Sequence, residues 1–391
     1  MTEWLLRHFI KNNENITDTT VRTAYGSLAG RVGIVCNLVL VAGKLTAGFF
    51  SGSVSIMADG LNNLSDAASS VITLAGFKIA SKTADKEHPF GHARFEYIAG
   101  LTVAVMVLVM GIELGKSSLE KIIHPTPVTF SLASFAVLAA AVLLKVWMSA
   151  FNRNVGQRIN SAALQAASAD SRNDSIATTA VLLAAAVSRF AGVNLDGWMG
   201  LGVAAFIVYS GIGLVKGTLN PLLGEAPAPE LVKHVADKIA GYEGVLGTHD
   251  LIVHDYGPGH RFASAHVEMS IDVDALVSHD IIDNIERDIL ENDNIHLIIH
   301  YDPIVTGEQM NNARVWIEQQ VKTINDHLSI HDLRLIDGPS HTNYVFDVLV
   351  PPEFEMPEET LRQRIEEAVQ RGDKPIHIVV TIDYSYAATL K

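Results

Sequence analysis

Long apolar runs in the first half constrain this chain's fold more than any other feature. Up to about residue 220, runs of roughly 20 largely apolar residues alternate with short polar loops, and that length is what a helix needs to cross a bilayer. Six such segments are read at about residues 28–50, 53–80, 97–118, 130–151, 162–188 and 198–217. From Gly224 onward charges recur every few positions and no run approaches spanning length. The 391-residue chain therefore reads as a membrane all-α domain followed by a soluble one, in keeping with a mean hydropathy of +0.23. The membrane part makes a lipid bilayer the first partner. A net charge of −14 without a basic stripe argues against nucleic acid as another. The lone cysteine, Cys36, lies inside an apolar run, which excludes an intramolecular disulfide framework and a thiolate metal cluster. The first residues lack the pattern of a secretory leader.

Charge in the loops predicts the orientation. The segments 81–96 and 152–160 hold Lys82, Lys86, Arg94, Arg153 and Arg158, and the N-terminal arm adds Arg7, Lys11 and Arg22. The alternate loops carry only Lys121 and, at a helix end, Arg189. By the positive-inside rule both termini, and with them the C-terminal domain, face the cytoplasm.

Polar residues inside two of the spans point to function. Asp59 and Asn63 are four residues apart in "ADGLNNLSD", so a helix turns both to one face. The fifth span repeats that spacing with Asp170 and Asp174 in "ADSRNDS". The two spans run in opposite directions, and each pair sits close to mid-depth. An ionisable group there costs about 2.5–3.5 kcal/mol to insert. A cation bridging the two faces gains four oxygen ligands and offsets that cost. Asp66, seven residues after Asp59, is read as an accessory carboxylate, a proton acceptor or a group near the cytoplasmic end. In the loop "TADKEHPFGHARFE", Asp85, His88 and His92 form a mixed carboxylate and imidazole set suited to zinc, manganese or iron.

A Pro-rich hinge at 220–230 leads into the second half. There a helix (229–241), strands at "THDLIVHDYG" and "RFASAHVEMSID", a helix near 278–291 and a strand at "IHLIIHYDP" give the order α-β-β-α-β, a small α+β domain. Its many histidines, with Asp302, are candidate ligands. Residues 307–391 read as a second copy, because "IHDLRLIDGPSH" echoes "THDLIVHDYGPGH" and "IHIVVTIDY" echoes "IHLIIHYDP". The match turns His249 into His331, His266 into Asp347, His300 into Thr381 and Asp302 into Asp383. With most of the histidines lost, this copy is expected to serve packing or partner contacts. The expected division is 1–220 for transport, 221–306 for the His-rich domain and 307–391 for the degenerate copy.

The polar pairs, the D-x-x-H-P-F-G-H loop and the His-rich domain ending in H-Y-D-P together resemble the cation diffusion facilitators. These are proton-coupled antiporters that export divalent transition metals, and the resemblance spans roughly residues 20–305. It implies a homodimer of six-span protomers with ferredoxin-like cytoplasmic domains. It places Asp59, Asn63, Asp170 and Asp174 on the transport site and Asp85, His88 and His92 on a loop site. His249, His266, His279, His300 and Asp302 fall on a cytoplasmic binuclear site.

Zinc-type members carry a histidine in the transport quartet, whereas this chain offers oxygen side chains only. That shifts preference toward Mn2+, with Fe2+ next and Zn2+ and Cd2+ as further cargo. The family's manganese-linked branch is similar in its Asn–Asp–Asp–Asp quartet. The expected activity is therefore metal efflux across the cytoplasmic membrane in exchange for protons, with no catalytic cofactor. An intramembrane metalloenzyme is a rival reading, but no span contains a histidine for a H-E-x-x-H helix. A membrane-anchored metal sensor is another, and an anchor has no use for matched carboxylates at mid-depth.

Overall fold

A computed structural model describes residues 2–12, 14–16, 18–51, 54–124, 132–191, 195–337, 342–351, 354–369 and 376–384. The chain divides into two compact units, Met1–Leu223 with Tyr256–Gly259, and Gly224–Asp255 with His260–Lys391.

The first unit is helical. A short helix α1 (Thr2–Phe9) precedes α2 (Thr19–Ser51), α3 (Val54–Ala80), α4 (Phe95–Ile123), α5 (Leu132–Arg158), α6 (Ala162–Ala191) and α7 (Asp196–Leu223). Except for α3, the helices run past the apolar segments read from sequence, because their ends continue into residues of mixed polarity. Thus α2 begins nine residues before residue 28, and α5 runs on to Arg158. The connection expected at 152–160 is correspondingly only residues 159–161. The hinge expected from residue 220 starts later too, since Pro221 is still inside α7. The loops expected at 51–52 and 119–129 lie partly outside the described residues.

Among the described residues, α2, α4, α5 and α7 contain stretches long and apolar enough to cross a membrane. The two exceptions, α3 and α6, are the helices that carry the acids expected from sequence inside the membrane. Outward-facing side chains such as Val39, Val109, Ile112, Leu143 and Tyr209 are exposed, an apolar girdle that suits lipid.

Small residues let these helices approach. A Cβ on Gly26 would fall 2.3 Å from the Phe77 ring, on Gly30 2.8 Å from Leu74 Cβ, and on Gly76 2.4 Å from Ala99 Cβ. Close backbone contact of this kind substitutes for the hydrophobic drive that lipid cannot supply. At one end Arg22 on α2 holds the fully buried Glu96 of α4 with both guanidinium nitrogens, one at 2.9 Å. The same arginine donates to the Ile159 carbonyl at 3.2 Å.

The second unit is built from two α-β-β-α-β arrangements. The first comprises α8 (Pro229–Ala240), β1 (Val245–Asp255), β2 (Arg261–Ser270), α9 (Ala275–Asp293) and β3 (Ile295–Ile304). The second comprises α10 (Glu308–Lys322), β4 (Ser329–Asp337), β5 (Thr342–Val350), α11 (Glu358–Val369) and β6 (Ile376–Tyr384). Each sheet has three strands, with the first pair antiparallel and the second parallel. Alternation on β2 drives Ala263, Ala265, Val267 and Met269 into a core with Val235, Ile285 and Ile289. Phe346, Val348, Leu361 and Ile365 do the same in the second arrangement.

Helix α9 starts on Asp274, whose side chain accepts from Leu276 N–H at 2.9 Å, and ends on Asn294 in the left-handed region at φ 54°. The two arrangements also share an irregularity. Pairing breaks after His249 in β1 and after His331 in β4, and the next residue, Asp250 or Asp332, takes a positive φ of 49° or 51°.

Candidate metal centres

Three acids of α3 and α6 converge. Asp66 of α3 and Asp170 and Asp174 of α6 each bring one carboxylate oxygen within 4.8 Å of the others. Into this group α5 inserts Lys145, whose Nζ donates to Asp66 Oδ2 and Asp174 Oδ2 at 2.7 Å each. The lysine is held there by helix packing. One turn along α5, Ser149 donates to the Ser168 carbonyl and Ser168 returns a bond to the Ser149 carbonyl, both at 2.9 Å. Lys145 and Asp66 are almost completely buried, so each offsets the other's desolvation.

Asn63 does not join the aspartates. Its amide oxygen accepts from Lys44 Nζ at 2.6 Å, and both groups are buried. The carboxylate that meets Asp170 and Asp174 among the described residues is that of Asp66, three residues after Asn63. The side chains of Asp59 and Asn62 lie outside the described residues. The buried Asn173 beside Asp174 has no partner for either amide atom among the described residues. The sequence reading passed over Lys44 and Lys145, yet a lysine inside an apolar span is itself a signal of function.

The loop residues lie together. Asp85 Oδ1 is 3.5 Å from His88 Nδ1 and Asp85 Oδ2 is 3.3 Å from His92 Nε2, with the two imidazole centroids 4.5 Å apart. His92 Nδ1 sits 3.2 Å from the Thr83 carbonyl, a contact that leaves Nε2 directed at the carboxylate. The backbone N–H of His88, and then that of Glu87, holds the Asp85 carboxyl below the usual carboxylate range and keeps it anionic.

On the first sheet of the second unit, three strands bring His249, His266 and Asp302 together. His249 and His266 are register partners on β1 and β2. His266 Nδ1 lies 2.8 Å and His249 Nε2 3.5 Å from Asp302 Oδ2. His300, paired in register with His266, is largely exposed but keeps Nε2 3.4 Å from Asp302 Oδ1. His279 departs from the expected set: it is exposed on α9 and joins no such cluster among the described residues. Burial, and next the neighbouring His331, pushes the His249 imidazole below its ordinary value, which favours the neutral form that binds metal.

The second sheet holds a further group that was not anticipated. His331, Asp347 and Asp383 converge, and His331 also meets His249 and Asp250. Burial first, then the charges of Asp250 and Asp347, raises the Asp383 carboxyl.

Residues 31–223 match the family model described as the cation efflux transmembrane domain, and residues 227–304 match that of the cation efflux protein cytoplasmic domain. The cation-efflux pump FieF of Cronobacter sakazakii is 30% identical over 283 residues, 71% of this chain and 94% of the pump. FieF of Escherichia coli O127:H6 is 29% identical over 284 residues, 72% of this chain and 94% of its own length. An uncharacterized transporter of Methanocaldococcus jannaschii is 29% identical over 248 residues, 63% of this chain and 87% of that protein. Both modules match in order and the FieF pumps align over nearly their whole length, so the chain belongs to the cation efflux family and is a membrane-embedded transporter rather than an enzyme.

Proposed function

We propose that the chain exports a divalent transition metal from the cytoplasm in exchange for protons, with Mn2+ as its main cargo. The observation that carries this reading is the buried group of oxygen donors formed by Asp66, Asp170 and Asp174 on two helices rich in polar residues. Carboxylates without imidazole or thiolate suit harder divalent ions, so Mn2+ ranks ahead of Zn2+. Asn62 precedes Asp66 by four residues, the spacing that separates Asp170 from Asp174. As fourth donor it completes a quartet that runs Asn–Asp–Asp–Asp in chain order. This register replaces Asp59 and Asn63 with Asn62 and Asp66.

Proton exchange follows from the same electrostatics. Crowded carboxylates attract protons when no cation is present and lose them when a divalent ion arrives. Lys145 is a tethered cation that an arriving ion must displace from at least one aspartate. The remaining parts of the reading are six spans with both termini cytoplasmic, domains divided near residues 220 and 306, and a homodimer. The basic residues flanking the expected cytoplasmic ends support the orientation, and the match to the family's cytoplasmic domain supports the dimer. The loop group and the His249–His266–Asp302 group, with His300, are read as cytoplasmic metal sites that shift the population of transport-ready states.

Uptake of Mn2+, Fe2+, Zn2+ and Cd2+ into proteoliposomes under an imposed pH gradient tests the proposal. Mn2+ is expected to be carried best, and Asn62→His to shift preference toward Zn2+. Zn2+ carried well ahead of Mn2+ by the unaltered protein would overturn the assignment of cargo.

A further inference from the structure

The sheet of residues 329–384 repeats a ligand geometry rather than only a fold. In the first sheet the converging residues are His249 on β1, its antiparallel partner His266 on β2, and Asp302 on β3. In the second sheet His331 on β4 faces Asp347 on β5, and Asp383 lies on β6. Asp302 and Asp383 occupy the same register, since each is paired with the residue two after the middle ligand: Glu268 after His266, Leu349 after Asp347. Even the bulge that presents the histidine recurs, each time with an aspartate in the left-handed region just after it.

His331 supplies an independent observation. It is 7% exposed, and neither ring nitrogen has a hydrogen-bond partner among the described residues. Nε2 approaches Asp383 Oδ2 to 3.5 Å and Asp250 Oδ1 to 4.0 Å without a hydrogen bond to either. A buried imidazole with both nitrogens unpaired bears a desolvation penalty that a coordinated ion removes. Around it stand three carboxylates, from Asp250, Asp347 and Asp383, and one ring, His249, with its centroid 4.2 Å away.

We propose that His331, Asp347 and Asp383 bind a divalent transition metal ion in the second α+β arrangement. One imidazole with two carboxylates suits Mn2+, Fe2+ or Zn2+ and is a poor set for all-oxygen ions such as Ca2+. The cation efflux models end at residue 304, so this site is not inherited from the matched cytoplasmic domain. Its position beside His249 puts two ion sites on neighbouring sheets. The two arrangements are already joined by Arg314 of α10, which donates to Glu268 Oε2 at 2.8 Å, and by Asp332 N–H of β4, which donates to Glu268 Oε1 at 3.2 Å. A metal here fastens the second arrangement to the first. The proposal is independent of which cation crosses the membrane.

Chelator-stripped full-length protein in detergent is dialysed against Mn2+, and bound ions per chain are counted by elemental analysis. The pair Asp347→Asn and Asp383→Asn, made together, is expected to bind one ion fewer per chain than the unaltered protein. An equal count at matched free Mn2+ overturns the site. Because loss of an ion can also follow misfolding, a gain of signal is measured as well. His331→Cys, in a protein with Cys36→Ala, places a thiolate on the same ion. Loading that variant with Co2+ is expected to give a thiolate-to-cobalt charge-transfer band in the near ultraviolet that vanishes with Asp347→Asn and Asp383→Asn. A protein that takes up Co2+ without the band contradicts the assignment.

Discussion

Replacing Lys145 by methionine keeps the length of the side chain and removes the ammonium that bridges Asp66 and Asp174. That ammonium makes two hydrogen bonds of 2.7 Å to carboxylates. A divalent ion entering the cluster must break at least one of them. A hydrogen bond to a charged group contributes about 1.5–3 kcal/mol. Removing the competitor should therefore tighten cation binding by about 10- to 150-fold. The assay is initial Mn2+ uptake into proteoliposomes as a function of metal concentration at fixed pH gradient. Lys145→Met is expected to lower the half-saturating Mn2+ by roughly that factor while the maximal rate falls, because no tethered cation helps expel the ion. Cost in the empty protein should show separately as a lower unfolding temperature, since three buried carboxylates lose their internal counter-charge. A variant whose half-saturating Mn2+ rises tenfold would refute the reasoning, because the lysine would then be organising the carboxylates rather than competing for them.

Two further outcomes concern the frame around the site. Arg22→Met leaves the fully buried Glu96 without its partner. Breaking a buried pair in this way costs about 3–5 kcal/mol, readable as a lower thermal midpoint in detergent. Adding Glu96→Gln should recover most of the loss, and no recovery would show that the arginine acts through other contacts. The second outcome is a pH dependence of the second unit in the presence of chelator. Burial first and His331 next depress His249, against the raising pull of Asp250, Glu268 and Asp302. A depressed folded value means that the unfolded chain binds the proton more readily. The stability present above the ordinary histidine value of 6.5 is therefore lost as pH falls through the lower folded value. Unfolding followed in chelator from pH 7.5 downward should show this decline, and His249→Gln should flatten it. An unchanged slope in that variant would assign the decline to other groups.

Much of this architecture is legible in sequence because the bilayer leaves few choices. Apolar runs mark α2, α4, α5 and α7, and the α-β-β-α-β order in the second unit follows from alternation and turn residues. The carboxylate cluster was legible only to within one helical turn. In "ADGLNNLSD" both Asp59 with Asn63 and Asn62 with Asp66 satisfy a four-residue spacing, so spacing alone cannot choose. Packing separates one member of each pair, since Lys145 of α5 reaches Asp66 while Asn63 accepts from Lys44. Neither lysine stands out in a hydropathy profile, because one charge barely lowers the mean of a long apolar run. The group at His331 was hidden for another reason. The repeat already set Asp347 and Asp383 at the positions of His266 and Asp302, but counting histidines suggested a decayed copy, whereas the folded strands bring both aspartates to His331. The exposed His279 is the opposite case, a ligand expected from resemblance alone whose helix turns it to solvent in the single chain.

The central claim is that Asp66, together with Asp170 and Asp174, binds the transported ion. Its most direct test is Mn2+ flux into proteoliposomes driven by a pH gradient, compared for Asp66→Asn and Asp59→Asn at equal protein density. The account predicts that Asp66→Asn abolishes proton-driven Mn2+ uptake while Asp59→Asn keeps most of it. Flux that survives Asp66→Asn and disappears in Asp59→Asn would contradict it.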